Sequence, residues 1–220
     1  MSPEERFAQL VRSPDDEVSL LEMTALIGCA FEPAHDPEEV GAALDLLARG
    51  CAWSFEGVME GLFGRGRLVG NRVDYGDPRN SYLHRVVERG LGLPITLSVI
   101  AVEVGRRVGV EIHGIGLPGH FVVASGGRYA DPFTGGRIIP ADEIVPAWRA
   151  VTGSRGPLDP RLLVPVPPRA VALRMLNNLR ATFTSRGDEH GLGILARLRG
   201  AYPELAGERE EHERWLRIWN

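Results

Sequence analysis

Lysine is missing altogether: every one of the 25 basic residues is an arginine. No lysine amine is therefore present to form a Schiff base or to accept an acyl group as an isopeptide. Cysteine is almost missing. Cys29 and Cys51 stand in separate segments with no metal-ligand spacing, which reads as two free, buried thiols in a reducing compartment. A basic stripe is missing too, since the arginines are scattered, are not interleaved with aromatics, and are outnumbered by 29 acidic residues for a net charge of -4. Binding nucleic acid by neutralising phosphates asks for a clustered basic face, so no nucleic-acid partner is expected. No apolar run is long enough to span a bilayer. The opening Met1-Ser2-Pro3-Glu4-Glu5 lacks the charged start and apolar stretch of a signal peptide. A soluble, cytoplasmic protein without a membrane partner is the expectation.

What is there is ordinary globular material, 44% hydrophobic and 25% charged over 220 residues. It divides into three blocks. Residues 1–90 read as helical. Leu20, Leu21, Met23, Leu26 and Ile27 keep a helical spacing after the acidic Asp15-Asp16-Glu17. Asp36-Pro37 opens a second helix with Val40, Ala43, Leu46 and Leu47 on its apolar face. A third helix is expected from Ser54 to about Phe63, a loop from Gly64 to Pro78, and a short helix from Ser81 to Glu88 that ends at Gly90 and is capped by Asn80.

Residues 91–145 carry the most information. Leu97, Ile100, Ala101, Val104 and Val108 form one buried helical stripe between Pro94, placed to start a helix, and Gly109, placed to end it. Three short strand-like runs follow, Val110–Gly116, His120–Ser125 and Arg128–Phe133, with Gly126-Gly127 as a hairpin turn. Residues 146–220 hold a stiff connection marked by Pro157, Pro160, Pro165, Pro167 and Pro168. Helices around Leu173–Phe183 and Leu192–Leu198 come next, and a charged end with Trp215 and Trp219.

The chemistry-bearing residues gather in the middle block. His120 begins one hairpin strand and Asp131 ends the next, so the two meet across the hairpin. An aspartate that accepts an imidazole N–H fixes the tautomer and raises the basicity of the ring, which is the orienting half of a nucleophile–base–orienter triad. The nucleophile belongs at the start of the preceding helix, where free N–H groups and the helix dipole lower a thiol pKa. The sequence there, Gly92-Leu93-Pro94-Ile95-Thr96-Leu97-Ser98, contains no cysteine.

This run resembles the core of the transglutaminase-like superfamily, whose Gly-x-Cys helix start, Gly-His-aromatic strand and Asp-Pro step carry a Cys-His-Asp triad. Gly92, Gly109, His120 and Asp131 fall on the matching positions, and Pro94 falls on the cysteine. Asn80-Ser81-Tyr82-Leu83, Gly92 to Ser98, Gly116-Leu117-Pro118-Gly119-His120-Phe121 and Asp131-Pro132-Phe133-Thr134-Gly135-Gly136 are similar to the motifs of one bacterial branch, the SirB-type family. Members of that branch often carry a helical tail resembling tetratricopeptide repeats. The resemblance implies an α+β fold: a papain/transglutaminase-like core, in which a central helix packs on a small antiparallel sheet, flanked by N-terminal and C-terminal helices.

A thiol mechanism cannot run from a proline. Ser98, one helical turn after Pro94, and Thr96 are the hydroxyls near that place; the alternative for Ser98 is a small packing residue. His120 and Asp131 stand either as a working dyad or as a vestigial pair that stiffens the sheet. Asn80, Pro94, Thr96, Gly119 and Phe121 are the expected cleft residues. His113, His120 and Asp131 make a two-His, one-carboxylate set whose spacing is not diagnostic of a metal, and Arg137 is either a carboxylate binder or an exposed turn residue. No cofactor and no metal are expected. Three functions follow: a non-catalytic module holding a peptide or protein partner, a hydrolase or acyltransferase using His120 as general base with water or a hydroxyl, or a scaffold whose helical ends bind partners.

Overall fold

The computed structural model describes residues 1–205, so the expected end with Trp215 and Trp219 lies outside the described residues. A helix unforeseen in the sequence opens the chain: α1 (Pro3–Arg12) is started by a reciprocal capping box between Ser2 and Glu5. The acidic run 15–17 forms a single 3-10 turn, and α2 (Leu20–Phe31) starts from Ser19. α3 (Pro37–Ala48) begins as expected, with the Asp36 carboxylate accepting the Glu38 N–H at 2.8 Å. Its buried face differs from the expected one. Val40 and Leu44 are buried one turn apart, while Leu46 is 63% exposed, because it stands about 200° around the helix from Leu44.

α4 (Phe55–Met59), capped by Ser54, runs into a wide turn at residues 60–64. The stretch expected as a loop contains a short strand, β1 (Val69–Gly70). It pairs in parallel with β2 (Leu91–Gly92), which follows α5 (Leu83–Arg89). Two residues are too few to show any alternation in a sequence. Gly70 is required there: a Cβ on it would lie 2.5 Å from the Phe133 carbonyl oxygen and ring.

The central helix α6 (Pro94–Arg107) follows β2 and buries the predicted Leu97, Ile100, Ala101 and Val104. An antiparallel meander comes next: β3 (His113–Leu117), β4 (His120–Ser125), β5 (Arg128–Asp131) and β6 (Arg137–Ile139), adjacent in that order. β5 stops at Asp131 because Pro132 has no N–H to donate and opens a 3-10 turn instead. The fourth strand, three residues long, was not expected, nor was α7 (Ile144–Thr152). α8 (Pro168–Arg186) and α9 (Glu189–Arg199) match the two helices foreseen in the last block.

The sheet is buried on both faces. Phe121, Val123 and Ala130 point into a core that also holds Phe7, Met23, Leu97 and Met175. Ile115, Leu117, Val122 and Ile139 point the other way, against Ile144 and Trp148 of α7. A small antiparallel sheet with a helix packed along it makes an α+β fold. Among the described residues no helix is long and apolar enough to cross a membrane.

Candidate functional site

The β3–β4 connection is a two-residue turn, Pro118-Gly119, closed by the pairing of Leu117 with His120. Gly119 has φ +69°, a left-handed conformation that glycine adopts without a Cβ penalty. The turn delivers His120 as the first residue of β4. Asp131, at the end of β5, places Oδ2 3.0 Å from His120 Nε2. Its Oδ1 accepts the Phe133 N–H at 2.9 Å, which fixes the carboxylate. The two side chains are only 3% and 4% exposed. An ionised carboxylate only accepts, so it selects the tautomer with hydrogen on Nε2 and leaves the lone pair on Nδ1. Among the described residues Nδ1 has no hydrogen-bond partner. The dyad is thus oriented through one nitrogen, with the other unbonded among the described residues.

α6 packs along β4 and against the 3-10 turn that follows Asp131. Pro94 is the first residue of that helix and is buried. The Thr96 hydroxyl accepts the Leu93 N–H at 2.9 Å and donates to the Asn80 carbonyl oxygen at 2.9 Å. That oxygen closes the helix start and has no proton to spare for nucleophilic work. Ser98 is fully buried, and its Oγ has no partner. Asn80 does not cap α5. It sits inside a 3-10 turn, residues 78–81, capped by Asp77, and its side chain bonds Asn71 and the Asp74 carbonyl. Asn80 and Thr96 are thus fully buried and hydrogen-bonded within the protein, where the sequence suggests cleft lining. Phe121 also turns away from the dyad: strand alternation sends it into the main core.

Three contributions were not legible in the sequence. Arg72 lies over the Phe133 ring at 5.4 Å, and Tyr75 meets the same ring edge-on at 6.0 Å. Phe133 in turn stands edge-on to His120 at 6.4 Å, so the stretch read as a plain loop forms the rim of the site. The third is Arg174 of α8. Its Nη2 donates to the carbonyls of Leu117 and His120 at 2.6 and 2.5 Å, and its guanidinium lies 5.3 Å over the Phe121 ring. Burial pushes its pKa down, with Tyr75 acting the other way. Arg174→Ala is expected to cost about 2–3 kcal/mol, from two charged hydrogen bonds and a cation–π contact. Urea unfolding of the variant checks this, and a loss below about 0.5 kcal/mol contradicts the clamp.

Other candidates stand apart. His113 lies at the far end of the β3–β4 ladder, four register positions from His120 or about 13 Å, and pairs with Glu111. His113, His120 and Asp131 therefore do not converge on one ion. Arg137 is exposed, opposite Asp131 in register. Cys29 and Cys51 are both free and buried. Burial, reinforced by Asp36 and Glu39, pushes the Cys29 thiol up to about 11, and burial raises Cys51 as well. Both stay protonated and unreactive at neutral pH.

A family model described as the transglutaminase-like superfamily matches residues 37–177, well over half of the chain. A UPF0162 protein of Xylella fastidiosa strain Temecula1 is 41% identical over 131 residues, covering 56% of this chain and 47% of its own length. A UPF0162 protein of Pseudomonas aeruginosa is 27% identical over 168 residues, covering 72% of this chain and 61% of its own. The mouse F-box only protein 21 is 36% identical over 62 residues, which are 28% of this chain and 10% of that protein. The chain spans about half the length of the Xylella relatives it matches. No solved structure matches.

Proposed function

The chain belongs to the transglutaminase-like superfamily, and on that premise we propose that it is a non-catalytic module that takes a peptide segment or a partner protein over His120 and Asp131, acting as a regulatory pseudoenzyme of the cytoplasm. One observation carries this reading: the helix start that offers a thiol in a Cys-His-Asp site carries the buried Pro94. The nearby hydroxyls do not replace it, because Thr96 is spent on the backbone and Ser98 is sealed. What remains is an oriented imidazole beside an aromatic and cationic rim of Phe133, Tyr75 and Arg72, groups suited to gripping a peptide. The four spaced motifs from Asn80 to Gly136 support membership of the SirB-type branch. The paired helices α8 and α9 are what a tetratricopeptide-like tail would supply.

A second reading rests on the retained His120–Asp131 pair, whose Nδ1 has no hydrogen-bond partner among the described residues. In it the dyad activates a water, and the protein is a hydrolase or acyltransferase of altered chemistry. Binding of a mixed peptide library to immobilised protein separates the two. Under the first reading wild type retains peptides, turns none over, and His120→Ala or Phe133→Ala weakens retention about tenfold. Turnover by wild type that disappears in His120→Ala replaces the first reading with the second.

A further inference from the structure

We propose that Glu32, His35 and His84 form a binding site for a divalent transition-metal ion of the zinc, cobalt or nickel type, separate from the His120 site. Glu32 is the cap residue just after α2, His35 lies in the turn before α3, and His84 is in the first turn of α5. One donor atom from each falls within 4.8 Å of the others. Glu32 Oε2 is 2.7 Å from His84 Nε2 and 3.7 Å from His35 Nε2. A tetrahedral ion with bonds of about 2.0–2.1 Å sets its donors about 3.3 Å apart, which lies between those two separations.

The cluster has one fixed ring and one adjustable ring. His84 is packed against Gly28, where a Cβ would come within 2.9 Å of its Cε1 and Nδ1, so glycine makes the room the ring occupies. The His35 ring stacks on it with centroids 4.1 Å apart and planes 23° from parallel. Stacked rings hold their nitrogens side by side, so closing on one ion turns His35 toward Glu32. Its side chain is 30% exposed and lies between α2 and α3, outside either helix.

The surroundings favour a cation. Glu39 lies 3.5 Å from His35 Nδ1, and Glu88 is linked through Arg85. Glu32 itself is bonded by Arg85. Arg85 steadies Glu32 through Oε2 at 2.7 Å, and Oε1 has no hydrogen bond among the described residues. Two imidazoles and one carboxylate suit a borderline ion and discriminate against calcium and magnesium, which prefer all-oxygen shells. Water completes the coordination on the exposed side.

The test uses the full chain without a histidine tag, titrated with zinc chloride by calorimetry and with cobalt chloride by visible absorption at about pH 7.5. One equivalent should bind, the thermal midpoint should rise with zinc concentration, and bound cobalt should give d–d bands without a thiolate charge-transfer band. His35→Ala and Glu32→Gln each weaken binding at least tenfold, by order of magnitude. His84→Gln does so as well; His35 is on the surface, so its variant reads out binding with the fold intact. No stoichiometric binding, undiminished binding by His35→Ala, or a thiolate band pointing to Cys29 or Cys51 each overturns the site.

Discussion

Replacing Pro94 by cysteine gives a protein that turns over activated esters and glutaminyl peptides, at a rate about a hundredfold or more above wild type. The thiol enters at the first position of α6, where the positive end of the helix lowers its pKa. α6 packs along β4 and against the turn that follows Asp131, so the elements carrying the triad positions are already assembled. The substitution removes no hydrogen bond, since proline has no N–H. Because the chain has no lysine, it offers no side-chain amine to its own acyl-enzyme, and a primary amine must be supplied to see transfer rather than hydrolysis. Pro94→Ala should stay silent, and His120→Ala in the cysteine background should return the rate to baseline. A Pro94→Cys protein that is folded, carries an alkylatable thiol and remains inactive would mean that the dyad is not aligned with the helix start. The scaffold would then have drifted beyond the loss of one residue.

The second large effect is on stability. Asp77→Asn should cost about 1–3 kcal/mol, because the carboxylate is buried while its two arginines are partly screened by solvent. Asp77 is buried and meets Arg79 Nη2 and Arg89 Nη2, each at 2.9 Å. Burial alone would raise its pKa. The hydrogen bonds from Arg79 and the Arg79 backbone N–H, with the charge of Arg89, overcome that and hold it below its ordinary value of 3.8. A folded pKa below the unfolded one contributes stability that is full above the unfolded value and is lost as pH falls through the folded value. Wild type should therefore lose this increment below about pH 4, and Asp77→Asn should lack that part of the slope. Urea midpoints between neutral pH and about pH 3 measure both. A variant within about 0.5 kcal/mol of wild type at neutral pH would show that the two arginines do not depend on the carboxylate. The consequence reaches the site, because Asp77 caps the turn whose Asn80 carbonyl holds Thr96 at the start of α6.

The middle of the chain was the most legible part, for local reasons. A 3.6-residue stripe between Pro94 and the glycine at 109 dictates α6, and a Gly-Gly turn between short β-prone runs dictates the β4–β5 hairpin. His120 and Asp131 could be set side by side from chain distance alone. What escaped the sequence depends on partners far away in the chain. β1 and β2 exist only as each other's neighbours, and β6 is defined by β5. Arg72 and Tyr75 look like loop residues until Phe133, about sixty positions later, packs on them. Thr96 and Asn80 were read as cleft residues because polar side chains near a site suggest contact with a ligand. The pairing of the hydroxyl with the carbonyl shows that their polarity answers a backbone need. Leu46 is exposed for a simpler reason: an apolar side chain need not lie on the buried face, and the helical angle puts it outside.

The Arg174 clamp also bears on motion. The amides of the His120 turn lie beneath a guanidinium rooted in α8, so the turn cannot open fully while that helix stays docked. In hydrogen exchange the two segments should respond to denaturant as one cooperative unit, with a shared opening free energy, although more than fifty residues separate them. A contact that loosens or tightens α8 should therefore change the exchange of the His120 turn as well.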